Sequence, residues 1–495
     1  MNYILTLDIG TTNIKATIVD EVGNIVIHKS IKNELTLGSD GRAEHDIKDI
    51  YRKCLEVTKS VISGFERNIV AISLSTYLHG LAVLGVNNEV LNNVMTHLDL
   101  RSAGYEVLPG VDEYEVYRRT GCPPIFVYPV AKIRWFKSLR SHLVNNVSRY
   151  SLVKDYVVEK LIGDAYVDFG VASGSQLLNI HSLKWDDLVL SSLGIDEGKL
   201  PRLVEGCKVL DYVRASTLDE LGIMNNRVAL VAGTFDGGAQ NIGLGALDSS
   251  IATVNLGSTA VLRTLTTSPI IDKSREMRFF TYYVADGLRA CGGASNNGCT
   301  VLDWLSSILS LTPNDIDLLI KDIGPGSEGV YFLPFLAGER FPFRDPYLRG
   351  VLIGLQLHHG RGHIIKALLE GISLNLRVIK DALGENGINF KAVICGGGGC
   401  RSKMWREVLK AVLCMPILSS GFEEHAANRG VGLLALKALG YVNDLSRFKY
   451  DLRLDEALMP DNVLCDTYSL IYSKYLSIFK DIKRIITNTY GCEGR

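Results

Sequence analysis

Two short segments carry a pattern suited to gripping phosphate. LTLDIGTTNIKATIVD begins at Leu5, and ATVNLGSTAVLRTLTT begins at Ala252. Each sets an acidic or amide residue, an aliphatic, Gly, a hydroxyl residue and Thr between alternating apolar positions. A tight turn of that composition aims backbone N–H groups and hydroxyls at one point, and such concavities bind anions. Gly10 and Gly257 can adopt positive φ and leave no Cβ in a ligand's way, while Thr11, Thr12, Ser258 and Thr259 add short donors. Asp8 would repel a phosphate unless a cation stood between them, so its place beside the first turn predicts Mg²⁺, held partly through water. Asp8 and Asn255 stand half a chain apart in 495 residues. Two such turns facing each other across a cleft would hold successive phosphates of one nucleotide.

A third segment, CGGGGCRSKMW from Cys395, joins an apolar strand to a helical pattern. Glycines there let the backbone lie flat against a planar or charged ligand at a helix N-terminus. Two better-known glycine motifs do not fit. Counted from Gly396, the sixth position of a dinucleotide fingerprint is Arg401. The only Gly-Lys pair, Gly198-Lys199, is followed by Leu200 and has Leu193 where a P-loop needs its first Gly. Asp236, in GTFDGGAQNIGLG, is a carboxylate in a Gly/Ala-rich turn at the end of a strand. Phosphoryl transfer to an alcohol needs an oriented hydroxyl and a proton acceptor, and Asp236 is placed to be that acceptor. Its other reading is an N-cap for the helix that follows.

The elements that position these residues show in the periodicity. Residues 3–8, 13–19 and 25–29 alternate apolar and polar, with Gly23-Asn24 as a two-residue turn, and so form a β-meander. VALVAG (228–233) and AVICGGGG (392–399) are short apolar strands, each followed by a helical pattern. After the second, Met404, Val408, Leu409 and Val412 share one helical face. Strands alternating with helices argue an α/β fold. A second meander starting at Ile251 implies a duplicated architecture, with domains over 1–247 and 248–495. Tyr468, Tyr472, Tyr475 and Phe479 fall on one stripe of a last helix and read as core packing.

The bulk numbers narrow the function classes. With 53 Lys+Arg against 54 Asp+Glu, no basic excess points to nucleic acid or an anionic membrane. A strand beginning at Tyr3 leaves no room for a secretory signal, and VGLLALKALGY, the best apolar run, is broken by Lys437. The ten cysteines show neither a CxxC pair nor a zinc spacing. They read as reduced, mostly buried thiols of a cytoplasmic protein.

In order along the chain, the two Gly-Thr hairpins, GTFDGGAQNIGLG, FLAGERFPFRDPYLRGVLIGL and the GGG-x-R-S-x-x-W loop resemble the FGGY carbohydrate kinases. That family shares a superfamily with actin, hexokinase and the Hsp70 ATPases. VDFGVASGSQLLNIHSLKWDD and GGASNNGCTVLDWL are most similar to gluconokinase-type members, with xylulokinases next. The resemblance implies two ribonuclease H-like domains with a cleft between them, MgATP as phosphoryl donor and a sugar or sugar acid as acceptor, and it leaves homodimerisation open. It implies nucleotide contacts from Gly10, Thr11, Thr12, Lys15, Gly257, Ser258, Thr259, Gly398, Gly399 and Ser402, a metal at Asp8 and a catalytic base at Asp236. Sugar contacts fall to Leu78, His79, Asp99, Arg101 and Asp236, and Arg101 or Lys132 is the expected cation for a substrate carboxylate. Arg340 reads as an interdomain ion pair and Trp405 as packing.

There are departures from the family pattern. His97 stands where the family usually has Trp, and His425-Ala426-Ala427-Asn428-Arg429-Gly430-Val431 replaces Glu-Ala-x-Ala-x-Gly-Ala. The rivals are an actin- or Hsp70-like ATPase, which has no need of the Leu78-His79 segment, and a non-catalytic sugar sensor, disfavoured by Asp8 and Asp236 together. A nicotinamide-dependent dehydrogenase is disfavoured by the incomplete fingerprint.

Overall fold

Two sheets repeat one strand plan. In the computed structural model, which describes residues 1–450 and 453–490, β1 (Tyr3–Ile9), β2 (Asn13–Asp20) and β3 (Ile25–Lys32) form an antiparallel meander. β4 (Ile69–Thr76) lies parallel to β1. β5 (Val209–Tyr212) and β6 (Ala229–Phe235) pair antiparallel, and β6 runs parallel to β4. The order is β5-β6-β4-β1-β2-β3. β4 and β6 are buried along nearly their whole length, as parallel strands covered on both faces are, whereas β3 at the edge is mostly open to water.

After α1 (Asp236–Gly243) the plan starts again. β7 (Ile251–Leu256), β8 (Ala260–Thr266), β9 (Phe280–Tyr283) and β10 (Arg289–Ser295) are all antiparallel in the order β9-β10-β8-β7, so β10 takes the place of the first meander's third strand and β9 is added outside it at the edge. β11 (Ala392–Gly396) runs parallel to β7, β12 (Ile417–Ser419) parallel to β11, and β13 (Arg453–Leu458) closes the edge antiparallel. The repeated phosphate segments are the β1–β2 and β7–β8 turns of these sheets. Each half thus has the ribonuclease H-like plan. The division at 247/248 falls between α1 and β7, and we propose it as the domain boundary; residues 491–495 at its far end lie outside the described residues.

Helices finish the two cores with one exchange between halves. α2 (Arg361–Glu385), α3 (Lys403–Leu413) and α5 (Asn462–Tyr490) pack together beside the second sheet. Tyr468, Tyr472, Tyr475 and Phe479 of α5 join Val408 and Val412 of α3 in one apolar cluster, so the aromatic stripe is core. α4 (Ala426–Ala438) comes from the second half but lies along β1, β4 and β6 of the first. It crosses α1 at backbone contact. A Cβ added at Gly243 would sit 1.9 Å from the Ala426 carbonyl oxygen, and one at Gly430 would sit 1.9 Å from that of Ala239.

The atypical residues of this segment seat α4. Asn428 Nδ2 donates to Thr6, while Arg429 donates to the carbonyls of Gly23 and Gly243 and stacks 3.8 Å from the Phe422 ring centroid. Among the described residues no helix is long and apolar enough to cross a membrane.

The cysteines depart from expectation. Cys395 is bridged to Cys400 and Cys414 to Cys465, where reduced thiols were expected. The turn after β11 folds Cys400 back over the strand end. The Cys414 Cα, at the C-cap of α3, lies 5.3 Å from that of Cys465 in α5. Cys54, Cys122, Cys207, Cys291 and Cys299 remain thiols.

Candidate active site

A cavity of about 280 Å³ opens between the two sheets. The first half contributes Asp8, Thr11, Lys15, His79 and Asp236 to its wall, and the second contributes Thr259 and Arg340. A larger groove, of about 640 Å³, runs along Gly396, Gly397, Gly398 and Arg401. Lys15, Gln240, Asn255, Glu423 and Glu424 border both spaces. One ligand can therefore reach from the glycine loop to the cavity, passing Lys15.

Asp8 ends β1 opposite Lys15 of β2, and its Oδ1 accepts the Ser75 hydroxyl at 2.6 Å. Burial raises its pKa against the pull of Lys15 and Ser75. Asp236 is the first residue of α1, with Phe235 rather than Asp236 at the N-cap, so the capping reading is corrected. One Asp236 oxygen accepts the Gly237 N–H at 2.6 Å, which leaves the other for a ligand. Burial, and then the Asp8 charge, push its pKa up to about 6, while Arg263 opposes them. Such a carboxylate is ionised at neutral pH and basic enough to accept a proton from an alcohol in a transition state.

The two turns do not use the left-handed freedom of their glycines. Neither Gly10 nor Gly257 takes positive φ. Gly10 is required because a Cβ would lie 2.7 Å from the Asn13 carbonyl oxygen across the turn, whereas a Cβ at Gly257 would meet nothing closer than 3.6 Å. Thr11 and Thr259 line the cavity, whereas Gly10, Thr12, Gly257 and Ser258 do not, and Thr12 and Ser258 are exposed at the turns. In the third segment the glycine that backbone geometry demands is Gly397. Its φ is +87°, and a Cβ would come within 2.6 Å of Asn255 Oδ1 and the Leu256 carbonyl.

Gly398 lines the groove, but Gly399 is buried against Trp405 and Leu256. Ser402 is the N-cap of α3, accepting from Trp405 N and donating to Asp317. Its hydroxyl is thus committed within the fold. Trp405 is fully buried packing.

Leu78, His79, Tyr128 and Tyr282 also line the cavity. His79 takes φ of 72°, and its Nδ1 lies 2.8 Å from the Gly174 carbonyl. Nδ1 therefore carries the proton, and Nε2 is left as an acceptor. Burial holds the ring's pKa well below 6.5, so it is neutral and suited to a sugar hydroxyl.

Asp99 and Arg101 do not reach the cavity. They pair with each other at 2.7 Å, Arg101 also pairs with Glu44, and its guanidinium lies 4.6 Å over Trp135. Lys132 is buried with Nζ donating to the carbonyls of His79, Met95 and Thr96, so it shapes the wall rather than facing a ligand. The expected carboxylate cations are thereby corrected. Arg340, expected in an interdomain ion pair, faces the cavity instead.

Tyr128, Tyr282, Gln240 and Arg263 escaped the sequence reading. Tyr128 and Tyr282 come from opposite halves, and their hydroxyls meet at 2.7 Å, a pairing no local pattern announces. Among the described residues, Glu328, His358 and His359 cluster as metal-ligand types, but they line neither space. His359 Nδ1 accepts from Gln356 N at 2.9 Å, so its Nε2 carries the proton and is a donor.

The N-terminal domain model of the FGGY family of carbohydrate kinases matches residues 3–243, and its C-terminal domain model matches residues 252–439. Gluconokinase of Bacillus subtilis is 28% identical over 99% of this chain and 97% of its own. Xylulose kinase of Lactococcus lactis is 28% identical over 81% of each. The crystal structure of gluconate kinase from Lactobacillus acidophilus superposes with a TM-score of 0.93 at 28% identity, covering 99% of both chains. With two phosphate turns, a buried carboxylate and a glycine loop converging on one cleft, the chain belongs to the FGGY family of carbohydrate kinases and is an ATP-dependent sugar kinase.

Proposed function

We infer that this kinase transfers the γ-phosphoryl group of ATP to the hydroxyl of gluconate farthest from its carboxylate. The observation that carries this reading is the whole-length likeness to gluconokinases in both sequence and structure. The nucleotide lies along the glycine loop, its phosphates run past Lys15 between Thr11 and Thr259, and the acceptor occupies the cavity. The oxygen of Asp236 not engaged by Gly237 takes the acceptor's proton as the new O–P bond forms and the bond from the γ-phosphorus to the bridging oxygen breaks, releasing ADP. His79 Nε2 accepts from a neighbouring hydroxyl and fixes the chain's rotation. Closing the halves excludes water, which would otherwise compete as acceptor.

Asp8 fits a divalent cation. One of its oxygens is held by Ser75, burial raises its pKa in spite of Lys15, and its charge adds to the burial that raises the pKa of Asp236. When bound there, Mg²⁺ would neutralise phosphate charge. Asp8→Ala should therefore lower Mg²⁺-dependent turnover by about 10²-fold or more while weakening metal-free ADP binding much less. Equal losses, measured by calorimetry and steady-state rates, would make Asp8 a prop for the turn.

We propose the cytoplasm as its place of action because ATP is its donor; the two disulfides remove the support once drawn from reduced cysteines. The second reading is xylulose, favoured by the xylulose kinase relative. ATP-dependent phosphorylation of a panel of aldonates, ketopentoses and polyols decides between them. Gluconate is expected to give the highest kcat/KM, and a neutral sugar above it would reject the acid.

A further inference from the structure

The helix that begins at Asp236 is held from two sides. On one, Ala239 and Gly243 meet α4 at backbone contact. On the other, Gly237, Gln240 and Asn241, spaced i, i+3 and i+4, face one side chain of the second half, Arg263 of β8. Its Nε donates to Asn241 Oδ1 at 2.7 Å, and its Nη2 donates to Gln240 Oε1. Nη1 lies against Gly237, where an added Cβ would stand 2.9 Å from the guanidinium carbon. The first turn of α1 has room for this guanidinium because residue 237 carries no side chain.

The strand neighbour of Arg263 reaches the same amide. Thr253 of β7 stands opposite Arg263 across the β7–β8 ladder, and its hydroxyl donates to Asn241 Oδ1 at 3.1 Å. These two strands carry the second phosphate turn, and Thr259, Val261 and Arg263 follow one another at alternate positions along the cavity wall. One amide oxygen thus ties the phosphate strands of the second half to the helix on which Asp236 is the first residue.

Stability alone gives little reason for an arginine here. The side chain is buried, its hydrogen bonds go to neutral amides, and it forms no ion pair among the described residues. The carboxylate whose charge bears on it is Asp236 itself. Burying a cation on these terms is costly. What the clamp supplies is placement. The base must lie within hydrogen-bond reach of the acceptor hydroxyl while that hydroxyl faces the γ-phosphorus. The base comes from the first half and this phosphate turn from the second, so the two need a fixed tie. A guanidinium presents its donors in a rigid fork, and two acceptors on α1 set both the height and the roll of the helix.

We infer that Arg263 is a positioning residue, which by joining β8 to α1 holds Asp236 in place against the phosphate turn of the opposite half. This assignment rests on Asp236 being the base.

The test is a cycle of variants, with rates measured using ATP and whichever of gluconate and xylulose the parent phosphorylates faster. Arg263→Met should lower kcat by about 10–100-fold, the scale of a misplaced catalytic group, while KM for ATP and for the acceptor each move by less than about threefold. Arg263→Lys, which returns the charge and a donor without the fork, should recover part of the loss. In an Asp236→Asn background, Arg263→Met should cost less than about threefold more, because the group it positions is already gone. A full second loss in that background, a loss carried by KM, or a single variant within about threefold of the parent kcat would overturn the assignment. Should Arg263→Met lack a cooperative melting curve, Asn241→Ala takes its place in the same cycle, freeing the clamp from the helix side with the charge left in position. Failure of the base itself shows separately, as near-normal turnover of Asp236→Asn alone, which removes both readings. A slow Asp236→Asn beside an additive Arg263→Met removes only this one.

Discussion

Asp236→Asn is expected to lower kcat by about 10²–10⁴-fold with the fold intact, because the amide keeps the side chain's shape but accepts no proton. The carboxamide oxygen can still take the Gly237 N–H, so α1 should start where it does now. The same change should remove a feature of the pH profile. A base whose pKa is pushed up to about 6 is active when deprotonated, so kcat/KM of the parent should fall as pH drops through that value and level off above it. The residual activity of Asp236→Asn should lack that limb. Near-normal turnover in the variant would take Asp236 out of the proton transfer. A parent profile flat down to pH 5 would show that burial and Asp8 do not act on it as described.

Lys154→Met is expected to carry the largest cost in stability. Lys154 is buried and its Nζ donates to Asp168 at 2.6 Å and to the carbonyls of Ala232 and Thr234 at 3.0 Å. It fastens the last residues of β6, just before Asp236, to the segment beginning at Asp168. Removing the amine leaves a buried carboxylate with the Val171 N–H as its remaining partner and frees two carbonyls. Breaking a buried pair from one side costs about 3–5 kcal/mol, which a lowered urea midpoint in tryptophan fluorescence would report. Adding Asp168→Asn, which keeps the cap on Val171 and removes the stranded charge, should recover much of the loss. A single variant within about 1 kcal/mol of the parent would mean that solvent reaches this pair.

How far these residues could be read before the fold was known depends on the range of the interactions that place them. The two turns, the strand before Asp236 and the glycine loop were legible because each is written in a few consecutive residues. Composition there answers to local needs: a hairpin, a strand end, a helix start. His79 was legible because its neighbours carry a family likeness. Arg340 was misread for the opposite reason. Glu339 stands beside it in sequence, and only the packing of Ser295-Asn296 and Asn375, from two separate segments, shows that this carboxylate is spoken for. Asp99 and Arg101 reverse that error. They look like polyol ligands in the sequence, yet Glu44 and the backbone of Ala43 complete them within the fold. The disulfides lay outside any spacing rule, since Cys414 and Cys465 meet only when α3 and α5 pack.

The exchange of α4 between halves has a consequence for how the chain is made. β1, β2, β4 and β6 are complete once residue 235 has left the ribosome, yet one face of that sheet receives α4 from residues 426–438. Domains ordinarily fold as they emerge, N-terminal first. Here the first sheet must wait, its apolar face uncovered, for the synthesis of nearly two hundred further residues, roughly ten to forty seconds at ordinary elongation rates. The duplicated plan looks like two folding units laid end to end. The crossed helices make it one cooperative object, finished only when the second half comes back to close the first.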